Sequence, residues 1–225
     1  MADVKRARVE IQSFTEVRVE DLKLKALDLT TDSGSPFVTL LGLTSFNLTP
    51  TGWLCTRYGF DLNSKYGKPS FLGGEKPENA KSESLTLRVS LDAATTAFLK
   101  KLDEKASEEY KKIRDVHWQP LVTEDLLFNG GVTVKAHVVL AGSPLTKLTV
   151  VDEQKVDRGE GWEFLKMYLD RKANIFNNAD VKVCLRVKSV WCKDGKAGIS
   201  LSATRLVLRP MAEVDPFGDD AELLA

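Results

Sequence analysis

The 225-residue chain is 43% hydrophobic and holds 32 basic and 32 acidic residues, so it can bury a core and carries no formal net charge. No window approaches 18 consecutive apolar residues, and the charged N-terminus lacks the apolar segment of a signal peptide, which argues against a spanning helix and against secretion. Three cysteines and two distant histidines match no zinc motif and are typical of reduced thiols. We therefore expect an intracellular protein without membrane contact, metal or cofactor.

The N-terminal part of the chain predicts strands. Residues 4–11 and 16–29 mix charge with alternating apolar positions, which is the pattern of half-buried strands. Residues 31–36 form a turn cluster. The mostly apolar run at 37–46 predicts a strand buried on both faces or in the wall of a barrel.

Residues 51–74 combine aromatic side chains, basic side chains and glycines. This glycine content predicts loops and turns rather than a core strand, so some rings are expected to be partly exposed. Exposed rings beside cations suit a single-stranded nucleic acid, because a base can stack on a ring while Arg and Lys neutralise the backbone. The alternative is that Trp53, Phe60 and Phe71 anchor a long loop onto the core. The candidate binding residues of this segment are Trp53, Arg57, Tyr58, Lys65, Tyr66 and Lys68, and its candidate stacking rings are Trp53, Tyr58 and Tyr66.

An alternating strand is predicted at residues 85–91, with Arg88 on the face away from the core. Asp92 follows in the position of a helix N-cap, and the next segment repeats apolar residues at i, i+4 spacing. Because Lys and Glu almost balance on this helix, we interpret it as a packing element with a solvated face. The apolar residues of its stripe are Phe98, Leu102, Ala106, Tyr110 and Ile113.

A second alternating strand is predicted at residues 132–140, after the turn signal Asn129-Gly130-Gly131. Lys135 and His137 share its outward face. A further short strand is predicted at 148–151.

The clearest strand pattern lies near the C-terminus. An alternating strand that begins at residue 180 runs into Asp194-Gly195, a dipeptide typical of tight hairpin turns, and a return strand follows. Placing Trp191 opposite Ile199, with a bulge next to the turn, gives one apolar and one polar face. In this register Trp191 lies on the core side of its strand; the alternative is a position at the rim, next to the turn, where the ring would serve as a stacking platform.

The apolar pattern of the return strand flips between Ala203 and Leu206, which predicts a bulge and a bent strand, as in small closed barrels.

The same part of the chain is strongly basic. Residues 171–209 hold nine basic and two acidic residues, a net charge of +7, whereas residues 211–225 hold five acidic and no basic residues. A neutral chain with such segregated charge remains compatible with a polyanionic partner. The candidate binding residues of the predicted strands are Arg88, Lys135, Lys182, Arg186 and Lys188.

The order of these parts resembles the single-stranded DNA-binding proteins of short-tailed phages and their relatives in large DNA viruses. The likeness rests on the strand at 85–91 that runs into a Glu/Lys/Tyr helix, the strand pair that follows, the basic hairpin and the acidic tail. It covers residues 85–225. The resemblance implies an OB barrel with an added helix and loops.

We therefore predict a mainly β (α+β) fold, an OB-type five-stranded barrel with added strands, one inserted amphipathic helix and long loops. Residues 1–210 are expected to form a single nucleic-acid-binding domain with insertions, and 211–225 a flexible acidic tail. In the family, such a tail can occupy the DNA groove and recruits replication proteins. This tail departs from the family pattern because it ends in Glu-Leu-Leu-Ala, and a disordered solubilising terminus is the alternative. The residues of the tail expected to bind a partner are Asp215, Phe217, Asp219 and Asp220.

The function predicted from residues and resemblance together is non-catalytic, largely sequence-independent binding of single-stranded DNA in viral replication, recombination or repair. If the protein is viral, it would act in the host cytoplasm or nucleus, and a homodimer is one of the oligomeric states left open. The alternative is a protein-interaction or structural β-barrel module of a virion or replication complex. An enzyme is disfavoured, because the sequence has no P-loop, no nucleophile elbow and no His/Cys metal pattern.

Overall fold

The computed structural model describes residues 11–21, 23–26, 38–41, 45–49, 52–61, 84–125, 131–139, 146–151 and 179–209. Within these ranges the chain forms twelve strands of one sheet, one α-helix, α1 (Ala93–Lys111), and a short 3-10 turn, Val19–Asp21. The strands are β1 (Ile11–Ser13), β2 (Lys23–Ala26), β3 (Val38–Leu41), β4 (Ser45–Asn47), β5 (Leu54–Asp61), β6 (Ser84–Ser90), β7 (His117–Trp118), β8 (Val122–Asp125), β9 (Gly131–Val139), β10 (Lys147–Val150), β11 (Asp180–Lys193) and β12 (Lys196–Arg209).

Five of these strands close into a ring of hydrogen-bonded neighbours. Strand β5 pairs with β6, β6 with β9, β9 with β12, β12 with β11, and β11 again with β5. The pair β9–β12 is parallel and the other four pairs of the ring are antiparallel. Numbered along the chain, the ring strands follow the order 1-2-3-5-4, which is the arrangement of the OB fold. The predicted fold class is therefore confirmed.

Period-2 alternation decides which side of each ring strand faces the interior. On β6, Leu87 and Val89 are fully buried while Arg88 between them is half-buried on the outer side. On β9, Lys135 and His137 are both exposed, as their alternation predicted. The buried residues of β9, β11 and β12 that complete this core include Val134, Ala136, Val138, Val181, Val183, Leu185, Leu201, Leu206 and Leu208.

The hairpin of β11 and β12 closes at the predicted turn. Asp194 has φ 50° and Gly195 φ 72°, so both central residues are left-handed, as a two-residue turn between twisted strands requires. Pairing begins immediately on either side, with Lys193 opposite Lys196.

The register next to this turn differs from the prediction by one residue. Trp191 lies opposite Gly198, and the core-side pair is Val190 with Ile199. Since no bulge precedes these pairs, Trp191 stands on the other face, half-buried, and the expected core-side position was wrong. The register shift occurs further along, after Val187.

The bulge predicted in the return strand is confirmed. Leu185 lies opposite Ala203, but its neighbour Cys184 lies opposite Arg205, so Thr204 is the extra residue. The hydroxyl of Thr204 donates to the carbonyl oxygen of Cys184 at 3.2 Å, which holds the bend.

Helix α1 forms where the sequence placed it. Asp92 Oδ1 accepts a hydrogen bond from the Thr95 backbone N at 2.7 Å and so caps the helix. The helix ends at Lys111, so Ile113 falls beyond it and is 48% exposed, contrary to the predicted stripe. The buried hydrophobic residues of the helix are Phe98, Leu99, Leu102, Ala106 and Tyr110.

The first ring strand, β5, lies where the sequence predicted loops and turns. Leu54 and Thr56 face the interior and are buried, and the Thr56 hydroxyl accepts a hydrogen bond from the Ala179 backbone N at 2.9 Å. The pairing with β6 shifts register between Arg57 and Phe60, so Gly59 belongs to a bulge inside a strand. The prediction was wrong at residues 54–61 because glycine is typical of turns and also of bulges inside strands.

The predicted N-terminal strands are shorter in the structure. The run at 37–46 forms two strands, β3 and β4, rather than one. Within 16–29 the structure shows the 3-10 turn and β2, and of the predicted strand at 4–11 only Ile11 lies in the described part of the chain. Strand β4 pairs with β11 and β1 with β4, so this part adds strands beside the ring, as the fold prediction required.

Candidate nucleic-acid interface

Three basic side chains form a row across the first three ring strands. Arg57 on β5 lies opposite Arg88 on β6, and Arg88 lies opposite Lys135 on β9. Lys135 is exposed, and the two arginines are half-buried on the outer side of the barrel. Like charges in directly opposite positions repel each other, so an anion that lies along the row is favoured electrostatically.

The Arg57 side chain is held at one end of this row. Its Nε donates a hydrogen bond to the Ser90 hydroxyl on β6 at 2.7 Å. This bond fixes the plane of the guanidinium, which carries five N–H donors in a rigid fork suited to phosphate oxygens.

A second group of charged side chains surrounds Trp53, the residue immediately before β5. The Lys182 ammonium lies 4.9 Å and the Arg209 guanidinium carbon 4.2 Å from the centroid of the indole ring. Arg209 also pairs with Asp180, with 3.2 Å between Nη1 and Oδ2. We call Trp53, Lys182, Arg209 and Asp180 the indole–cation cluster.

The indole–cation cluster and the row share one outer face of the barrel. Trp53, Cys55 and Arg57 alternate with buried Leu54 and Thr56, so all three project to the same side. We call this surface the basic face. Its residues are Trp53, Arg57, Arg88, Lys135, Lys182 and Arg209.

Cys55 lies in the middle of the basic face, opposite both Ser90 and Asp180. Burial raises the pKa of this thiol; the Arg57 charge lowers it by less, and the Asp180 charge raises it further. Cys55 is therefore a neutral thiol at physiological pH and adds no negative charge to the basic face.

The row occupies the position at which OB barrels bind oligonucleotides. In that fold the ligand lies across the second and third strands, between the loops that join strands one to two and four to five. Here these strands are β6 and β9, which carry Arg88 and Lys135. The first loop is the segment 62–83, which lies outside the described residues, and the second is the Asp194-Gly195 turn.

The Asp194-Gly195 turn is braced by β7. The His117 backbone N donates to the Gly195 carbonyl oxygen at 2.8 Å, and β7 pairs in parallel with the start of β12. Trp118 in turn donates its Nε1–H to Asp103 on α1 at 3.0 Å. The tip of the hairpin is thus fixed to the helix through a short strand.

The structure brings five of the predicted binding residues, Trp53, Arg57, Arg88, Lys135 and Lys182, onto the basic face. Arg186 is exposed but lies opposite Ser202 on β12, one strand away from β9, so it stands apart from the row. Tyr58 belongs to β5 and Lys188 to β11, but their side chains are outside the described part of the chain. The other predicted residues outside it are Lys65, Tyr66, Lys68, Asp215, Phe217, Asp219 and Asp220.

Sequence reasoning missed Arg209 and Asp180 as members of this surface. Both stand at the ends of strands, where alternation over a few residues does not fix the face. The signal that could have found them is the hairpin itself, since the first residue of β11 must pair with the last residue of β12.

No protein-family model matches the chain, and no curated protein matches it significantly. Among solved structures, the chain is similar to the single-stranded DNA-binding protein of bacteriophage Enc34 in complex with ssDNA, with 14% identity, a TM-score of 0.43, and 85% of this chain and 97% of that chain covered. It is also similar to gp2.5, a single-stranded DNA-binding protein encoded by bacteriophage T7, with 13% identity, a TM-score of 0.45, and 81% and 94% covered. The chain is similar in structure to phage single-stranded DNA-binding proteins. The resemblance found in the sequence was to proteins of this kind.

Neither a metal-binding cluster nor a membrane-spanning helix is present among the described residues. No group of three or more His, Cys, Asp or Glu side chains is placed there to hold a metal ion. Likewise, α1 is not long and apolar enough to cross a membrane, and the described residues contain no other candidate helix.

Proposed function

We propose that the protein binds single-stranded DNA without catalysis and largely without regard to sequence, in DNA replication, recombination or repair. The observation that carries this proposal is the row of Arg57, Arg88 and Lys135 on the first three strands of an OB ring. Oligonucleotides lie across this part of the fold in OB proteins, and the row follows the same direction across the strands.

The basic face acts by replacing the counterions of the phosphates. Each cation that neutralises a phosphate releases a condensed counterion, so affinity falls with rising salt concentration. Contacts to phosphates carry no information about the base, which gives binding that is independent of sequence. Two charged groups extend the path from the row: Lys182 and Arg209 of the indole–cation cluster at β11 and β12.

Aromatic side chains add to the affinity by stacking on the bases. Tyr58 on β5 and Tyr66 in the segment 62–83 are our candidate stacking rings, and each stacked base is worth about 1–3 kcal/mol. Lys65 and Lys68 in the same segment, with Arg186 and Lys188 on β11, complete the proposed binding set. Of this set Arg186 is exposed, so it can be changed without disturbing the buried core.

We further propose that residues 211–225 recruit replication proteins or mask the basic face. The tail begins two residues after Arg209, which is itself part of the basic face, so an acidic segment starts beside cations that it can neutralise. Phe217 among Asp215, Asp219 and Asp220 gives a short peptide with one apolar anchor and several charges, which suits a docking motif.

The test is fluorescence-anisotropy titration of labelled oligo(dT), its duplex and an RNA oligomer of the same length at low and moderate salt. We expect preference for the DNA single strand, a steep salt dependence, and tighter binding after deletion of residues 211–225. The double variant Arg88→Ala, Lys135→Ala should lose most of the binding, whereas Lys101→Ala on the solvent side of α1 should keep it. Absence of binding to every oligomer at low salt contradicts the proposal and favours a protein-interaction module, and equal binding of RNA removes the preference for DNA.

A further inference from the structure

Trp53 has the side chain that a nucleic-acid strand could use for stacking, but its ring is engaged by cations. The Lys182 ammonium and the Arg209 guanidinium lie 4.9 Å and 4.2 Å from the ring centroid, both within the range of about 6 Å for cation–π contacts. Stacking needs an accessible ring face of about the area of a base. On this indole, that surface is shared with two charged groups, and the ring is itself half-buried.

The indole–cation cluster joins the residue before β5 to residues of the barrel strands β11 and β12. Trp53 precedes β5, where Leu54 lies opposite Val181 of β11, so the indole stands next to Lys182. Arg209 ends β12 opposite Asp180, and its side chain reaches across β11 to the indole of Trp53. Two flexible basic side chains from separate strands therefore converge on one rigid ring.

We propose that Trp53 is a positioning residue that holds Lys182 and Arg209 for phosphate contacts, so that this end of the basic face recognises the sugar–phosphate backbone and not a base. This inference rests on the proposed function and deepens it. It replaces the expectation that Trp53 is a stacking ring with a different role for the same residue.

The physical advantage is that the side chains of Lys182 and Arg209 are already held in place before the ligand binds. Free Lys and Arg side chains lose rotamer entropy when they bind a phosphate, and a group already held in place loses less. The ion pair with Asp180 uses Nη1 of Arg209, while a guanidinium has five N–H donors in all. The arginine can thus keep its position against the ring and still donate to a phosphate.

The experiment compares oligo(dT) with an abasic oligomer of equal length, made of the same phosphates and tetrahydrofuran spacers. For a positioning role, Trp53→Leu weakens the binding of both ligands by the same factor, about three- to tenfold, since each cation–π contact is modest. In addition, Lys182→Ala costs less in the Trp53→Leu background than in the wild-type protein, because the indole and the ammonium act together.

A loss of affinity for oligo(dT) alone, with the abasic oligomer unaffected, overturns the inference in favour of stacking. Failure of the wild-type protein to bind the abasic strand overturns it as well, and so does an unchanged affinity for both ligands. If the wild-type protein binds neither oligomer, the proposed function itself has failed. Thermal unfolding checks that Trp53→Leu is folded; if it is not, Trp53→Phe, which keeps a smaller ring in the same site, is compared on the same two ligands.

Discussion

Arg88 and Lys135 lie directly opposite each other on the outer face of neighbouring ring strands. Such a pair of like charges lowers the stability of a sheet by a few tenths of a kcal/mol up to about 1 kcal/mol. We propose that this pair serves binding rather than folding, because it lies on the strands that carry the ligand in OB barrels. When a residue serves binding and not folding, its replacement should weaken binding without lowering the stability of the fold.

We therefore expect Lys135→Gln to keep the free energy of unfolding or raise it by about 0.5 kcal/mol, while the salt dependence of single-stranded DNA binding falls by roughly one phosphate contact. Urea unfolding and anisotropy titrations at several salt concentrations measure the two effects. Lys101→Gln on α1 is the matched control and should change neither. A loss of stability without a change in the salt slope would show that Lys135 serves the fold.

Gly198 has no room for a side chain because the indole of Trp191 packs against it. A Cβ at this position would lie 3.0 Å from the Gln119 carbonyl oxygen and 3.1 Å from Cζ2 of Trp191. Because one of these atoms belongs to the backbone, Gly198→Ala forces a shift near the tip of the hairpin, and we expect a loss of about 1–3 kcal/mol in urea unfolding. Gly52→Ala is the control, since nothing lies within 4 Å of its Cβ. Equal stabilities of the two variants would contradict the packing described for Trp191.

The outcome at the hairpin shows what the sequence could and could not predict. The Asp194-Gly195 turn and the bulge near Thr204 were predicted because turn chemistry and a flipped apolar pattern are local signals. The register of Trp191 was not, because Gly198 could serve either as a bulge or as the small partner of a large ring. Only the packed neighbours distinguish these two uses of a glycine.

The site was predictable to a similar degree. Alternation on β6 and β9 placed Arg88 and Lys135 on the outer face, but nothing local indicates that Arg57 lies beside them, since its strand was taken for a loop. The indole–cation cluster joins residues that are far apart in the chain, so its pairing depends on closure of the ring. Composition predicted the kinds of residue in the site, and topology decided which of them meet.

Asp92 caps the start of α1, because its side-chain Oδ1 accepts a hydrogen bond from the Thr95 backbone N. Replacing an N-cap aspartate by alanine leaves that donor without its partner, so we expect Asp92→Ala to cost about 1 kcal/mol of stability. Asp92→Asn keeps a side-chain acceptor and should recover most of the loss. Chemical denaturation of the three proteins measures the difference, and a variant with alanine as stable as the wild type would show that the helix does not depend on its cap.

Tyr110 places a phenol in the core between α1 and the hairpin. The side chain is fully buried, and within the described part of the chain its Oη makes no hydrogen bond of good geometry, although the Cys192 thiol lies nearby. Burial, followed by the influence of Cys192, raises the pKa of Tyr110 to about 12. The folded protein therefore holds this phenol in its neutral form at pH values where an unfolded chain would ionise it.

The sign of the resulting pH dependence follows from linkage. A group whose pKa is raised by folding contributes stability below its unfolded pKa of about 10, and this contribution is lost as the pH rises through about 12. We expect the wild-type protein to lose more stability than Tyr110→Phe over this interval, by about 2 kcal/mol. At pH 7 the two proteins should agree within about 1 kcal/mol, because a buried hydroxyl with so little hydrogen bonding contributes little. Urea unfolding at pH 7, 9.5, 10.5 and 11.5 provides the comparison, and parallel pH profiles for the two proteins would show that Tyr110 ionises in the folded state as readily as in the unfolded chain.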